Sequence, residues 1–136
     1  MAANIIKVGI ISKEDYAKRT IAIAKGQYKP KKGEPKVWFD SLRSMAEALS
    51  NDNQLLLRLI AEKKPQSLAE LEALSGRNKS NLSRTLKMLE AYGIVSIKRN
   101  DQKLIPTAKA TDFQVEFGAY LGRFQKPSDL PARRQA

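Results

Sequence analysis

The sequence predicts an α+β fold in which short helices lead into a β-hairpin, with a strand and a helix ahead of them. Three observations carry that prediction. Leu82, Leu86 and Leu89 recur at i, i+4 and i+7, which at about 100° per residue gathers them on one side of a helix. Before them, Ser67 and Glu70 form a capping box that opens a short helix over LAELEALS, and Gly76 supplies its stop. After them, Gly93 precedes IVSIK and KLIPTAK, which read as two strands around a polar tip at residues 99–102.

The remaining elements follow in chain order. NIIKVGII, over residues 4–11, is apolar and β-branched and reads as a strand. Ser12 with Asp15 caps a helix over about 13–25, stopped by Gly26. QYKPKKGEPK then reads as an exposed, extended connection, since two prolines, a glycine and four lysines disfavour regular structure. Trp38 and Phe39 are read as core or dimer-interface anchors. Asp40 or Ser41 caps a helix in which Leu42, Met45, Ala46 and Leu49 form the apolar stripe. Ser50 opens another, with Leu55, Leu56, Leu59 and Ile60 on one face and Pro65 preventing continuation. Phe113, Val115 and Phe117 alternate with polar residues as a last strand, and PARRQA is expected to fray.

Composition narrows the chemistry. The 136 residues contain no Cys and no His, so thiol nucleophiles, disulfides, imidazole bases and the common zinc sites are excluded. No catalytic residues, metal or organic cofactor are expected. The start, MAANIIKVGIISKED, lacks the basic leading region and cleavable site of a secretion signal, and no apolar run reaches membrane-spanning length. A cytoplasmic protein with no membrane partner is the expectation. A net charge of +11 favours a polyanionic partner. Its distribution is uneven: residues 76–109 hold eight basic and two acidic residues.

That basic stretch coincides with the helix, turn, helix and hairpin, which together make a winged helix-turn-helix over residues 41–109. The second helix buries its leucines and offers the opposite side to base edges and phosphates. Arg77, Asn78, Lys79, Ser80, Asn81, Ser83, Arg84 and Lys87 are the candidate DNA-binding residues there. Arg84 is the first choice for a base contact, because its planar fork matches the two acceptors of guanine; Asn81 similarly suits adenine. Asn78 and Lys79 stand where backbone N–H groups can meet phosphate. Lys98, Arg99 and Lys103 place further cations on the wing, for the backbone or the minor groove. Residues 1–40 are read as an N-terminal extension serving dimerisation, and 110–136 as a C-terminal strand and flexible tail.

The run SLAELEALSGRNKSNLSRTLKMLEAYGIVSIKR resembles MarR/ArsR-like winged helix-turn-helix regulators, over roughly residues 50–109. A longer pattern, VGIISKEDYAKRTIAIAKGQYKPKKGEPKVWFDS followed by that winged helix, looks like a family of small prokaryotic predicted transcriptional regulators, over about residues 5–109. Members of that family resemble antitoxins of the TumE–TumA type. The resemblance implies a repressor of its own operon that also neutralises a cognate toxin protein; a homodimer is expected on geometric grounds, since two-fold operators suit paired recognition helices. The alternatives are a stand-alone repressor without a toxin partner, and a protein-interaction module that does not bind DNA.

Overall fold

The computed structural model describes residues 4–124. Its elements are β1 (Ile5–Ile10), α1 (Lys13–Ala24), β2 (Val37–Phe39), α2 (Leu42–Ala48), α3 (Asn51–Lys63), α4 (Leu68–Ser75), α5 (Lys79–Ala91), β3 (Val95–Asn100), β4 (Lys103–Ala108) and β5 (Asp112–Glu116). The expected frayed end, PARRQA, lies outside the described residues. None of the described helices is long and apolar enough to cross a membrane.

Two sheets organise these elements. β3 and β4 form an antiparallel hairpin, and β1 lies between β2 and β5 in a three-stranded parallel sheet. In that sheet Val8 stands beside Val37 on one side and Val115 on the other. Because side chains alternate across a strand, Val8, Val37 and Phe39 share a face, and all three are buried in one cluster with Leu56, Leu57, Ile60, Leu71, Leu82, Leu86 and Leu89. One core therefore spans residues on both sides of the expected boundary at 40, and the partly buried Phe113 of β5 packs against it from beyond 110. On the other face Gly9 lies under Trp38: a Cβ at Gly9 would stand 2.5 Å from the indole ring, so only glycine fits.

The helices start where their caps predict. Ser12, Ser41, Ser50 and Ser67 each accept a hydrogen bond from the backbone N–H three residues on, satisfying a donor the helix leaves orphaned. Two apolar stripes differ from expectation. In α2 the buried residue is Ala48, with Met45 and Leu49 packed beside it, whereas Leu42 is exposed. In α3 the buried row is Asn53, Leu56, Leu57 and Ile60, at i, i+3, i+4 and i+7, and Leu55 is 57% exposed. A run of three leucines fits two rotations of the helix, and in the one observed Asn53 is buried with its amide bonded to the Ala48 carbonyl and to Arg77.

The connection between α1 and β2 is not the extended segment its composition predicts. Glu34 folds it back: its carboxylate accepts from the Tyr28 hydroxyl, from Arg19 Nη2 at 3.2 Å and from the Lys31 backbone N–H at 3.1 Å. Lys7 Nζ donates to the Gly33 carbonyl at 2.7 Å, which ties the loop to β1. Burial pushes the Glu34 carboxyl upward, but the hydrogen bonds from Tyr28, Arg19 and Lys31 and the arginine charge outweigh it and hold the group below its ordinary value. Burial, then the bond to Glu34 and its charge, push the Tyr28 phenol up to about 12.

Candidate nucleic-acid interface

α5 is a two-sided helix whose inner side is fixed by packing. Leu82, Leu86 and Leu89 are all at most 1% exposed, inserted among Leu71 of α4, Ile94, Val95 and the leucines of α3. α4 ends at Gly76, whose φ of 73° is a left-handed conformation that costs glycine nothing, and Asn78 starts α5 two residues later. That turn holds α5 as a rigid rod.

On the outer side, Ser80, Arg84 and Lys87 are exposed and Ser83 is half-buried. Among the described residues neither Arg84 nor Lys87 enters an ion pair, so both heads remain available to an external acceptor. The serines, the arginine and the lysine together make a donor-rich strip along one flank of the helix.

The start of the helix differs from the sequence-based reading. Arg77 is not directed outward: its Nε donates to Asn81 Oδ1 at 2.7 Å, its Nη1 to Asn53 Oδ1 at 3.0 Å and its Nη2 to Thr85 Oγ1 at 2.8 Å. Asn53 is 7% exposed, and its amide in turn donates to the Ala48 carbonyl at 3.1 Å. The guanidinium is thus a strut that joins α5 to α3 and, through Asn53, to the end of α2. It also takes the carbonyl oxygen that Asn81 was expected to offer to adenine.

Asn78 is the N-cap, accepting from the Asn81 backbone N–H at 2.8 Å. The backbone N–H of Lys79 donates to Glu72 Oε2 at 3.0 Å, so a carboxylate from α4 stands where phosphate was expected. The Lys79 side chain itself is exposed. Neither Asn53 nor Thr85 was singled out in the sequence. The signal for Asn53 was present: it occupies a core position of the α3 repeat, and a polar residue there needs an internal partner.

The wing is tighter than its composition suggests. Asn100 pairs with Lys103, and only Asp101 and Gln102 turn the chain, with φ of 47° and 66°. Register places Lys98 and Lys103 on one face, beside Ile105 and Asn100. Arg99 stands opposite Leu104 on the other face, the one that carries Val95, Ile97 and buried Pro106. All three cations are exposed. The wing thus splits its charges between its two faces, with two on the outer one.

Two helices joined by a glycine turn, the second leucine-anchored and followed by a two-stranded wing, define a winged helix-turn-helix protein. The family model named HVO_A0114 matches residues 48–115, half of the chain, and the chain belongs to that family. No curated protein matches it. A solved structure from E. coli, described as that of a predicted DNA-binding transcriptional regulator, is similar at 17% identity and a TM-score of 0.42, over 68% of this chain and 82% of that one.

Proposed function

We propose that this protein is a sequence-specific double-stranded DNA-binding transcriptional regulator that acts as a homodimer and represses its own operon, without catalysis. The observation that carries the reading is the outer flank of α5, where Ser80, Ser83, Arg84 and Lys87 stand on a helix that leucines and the Arg77 strut hold in place. A rigid helix presenting donors is what major-groove recognition requires, because base discrimination depends on hydrogen-bond directions. In this reading Arg84 contacts a base, Lys79 and Lys87 contact phosphates, and Lys98, Arg99 and Lys103 extend the contact to the neighbouring backbone. Arg77 and Asn78 act from behind, by fixing the helix.

A homodimer presents two such helices to a two-fold operator. Since β1 is paired on both edges within its own chain, a partner would meet the sheet at a face or at the outer edges of β2 and β5. The likeness to MarR/ArsR-like regulators and to TumA-type antitoxins rests on the sequence alone, and co-purification with the product of the adjacent gene tests the toxin pairing.

Selection from a randomised duplex pool tests the function. The expected result is one enriched inverted repeat, with binding that weakens with salt at a log–log slope near −0.9 per neutralised phosphate. Failure to retain any duplex, at any salt concentration, would reject the reading in favour of a protein-interaction module.

A further inference from the structure

In the parallel sheet β1 is paired on both sides and β2 is three residues long, so β5 presents the longer open edge, paired with no other strand among the described residues. The groups on that edge can be named. Asp112 N–H donates to the Asn4 carbonyl at 3.2 Å, so by the alternation of a strand Asp112, Gln114 and Glu116 turn their backbone groups toward β1. Phe113 and Val115 turn theirs outward, where they meet no backbone partner among the described residues. Exposed edges are usually blunted by Lys, by Pro or by shortness. The wing follows that rule, with Lys98, Arg99, Lys103 and Pro106 on its strands, whereas β5 reads DFQVE and has none of these.

The apolar surface beside this edge is open as well. Val115 lies next to Val8 on the core face, yet Val8 is fully buried while Val115 is 42% exposed, and Phe117, just past the strand, is 57% exposed. The leucine core thus runs out at β5. A second copy of the same strand completes it, because two identical edges can meet antiparallel about a two-fold axis. Charge chooses the register. An axis at Gln114 would set Asp112 opposite Glu116 of the second copy, twice over, and like charges directly opposite each other destabilise a strand pair. An axis at Val115 instead sets Gln114 opposite Glu116, whose charge Lys7 already balances at 3.4 Å, and brings Phe113 against Phe117 on the core face.

We propose that the β5 edge is the contact between two copies of this chain, which pair antiparallel about Val115 and join their sheets into one of six strands. The inference rests on the homodimer of the proposed function and names its interface. It does not depend on DNA binding by α5.

The test uses the full chain without DNA, whose lack of Cys lets one introduced thiol report one position. In the proposed register the two Val115 Cα atoms face each other at about 5.5 Å, within disulfide reach. The two Gln114 positions are diagonal neighbours at about 7–8 Å, beyond it. Val115→Cys is therefore expected to oxidise to a cross-linked dimer on denaturing gels, and Gln114→Cys to remain largely a single chain. Val115→Lys sets two ammonium groups face to face at an exposed position and should weaken self-association at least about tenfold in sedimentation equilibrium. A wild-type chain that sediments as a monomer at high micromolar concentration would overturn the interface and the homodimer together, leaving the edge to another segment of the chain or to a different protein. A wild-type dimer in which Val115→Cys cross-links no better than Gln114→Cys, or in which Val115→Lys associates like wild type, would overturn the interface and leave the homodimer standing. Neither result bears on the duplex selection.

Discussion

The first 50 residues and residues 76–109 carry similar excesses of positive charge, ten basic against five acidic and eight against two, and the fold treats them differently. Of the five ion pairs among the described residues, four take their cation from the first stretch: Lys7, Lys13, Lys18 and Arg19. None takes it from the second. In the N-terminal region one partly buried cluster does structural work: Glu34 gathers Arg19, Tyr28 and the loop backbone. In the helix-turn-helix one arginine, Arg77, does structural work, whereas Arg84, Lys87, Lys98, Arg99 and Lys103 keep their heads free of ion pairs. Charge excess alone therefore does not locate an interface. The proposed interface rests instead on unpaired charge along a helix fixed by packing.

Substitutions at three positions break or sharpen that contrast. The largest effect is expected at the strut. Arg77→Ala removes three hydrogen bonds from a charged donor and leaves the buried Asn53 carbonyl unsatisfied, which should cost about 2–3 kcal/mol in chemical denaturation. Arg77→Lys should recover little, because an ammonium cannot reach three acceptors with a planar fork. Wild-type stability in Arg77→Ala would return this residue to the surface class.

A smaller effect, on the order of 1 kcal/mol, is expected for Glu34→Gln, and it has a pH signature. The folded state holds Glu34 below its ordinary value of 4.5, so its contribution is complete above that value and is lost as pH falls through the depressed one. The variant's stability should therefore fall less steeply in acid. Tyr28, raised from 10 to about 12, should cost wild-type stability as pH climbs through that interval.

The smallest effect is expected for Lys103→Ala, which should leave stability unchanged and weaken all duplexes alike. It should also reduce the magnitude of the salt slope by about 0.9. Loss confined to one sequence would mean that the wing reads bases.

The contrast also marks how far the sequence could be read. The leucines of α5, the serine caps, Gly76 and the hairpin were legible because each is a local pattern, set by helix period or by turn chemistry. The strand at 112–116 was legible as an alternation, but its parallel pairing with β1 was not, since residues more than 100 positions apart carry no local sign of each other. Likewise β2 is too short to announce itself, and only pairing with β1 makes it a strand. At the candidate interface, the exposed flank of α5 followed from periodicity. The inward turn of Arg77 did not, because its acceptors lie on α3 and farther along α5, where only the fold brings them together. Glu34 was equally hidden: its loop looks extended until Tyr28 and Arg19 are placed around it.

If α5 reads DNA through Arg84, the decisive measurement is the affinity of Arg84→Ala for the selected duplex and for a random one at the same salt concentration. A loss of about 1–3 kcal/mol is expected on the selected site and little on random DNA. An equal loss on both would contradict it, leaving Arg84 as a phosphate contact and placing base recognition elsewhere.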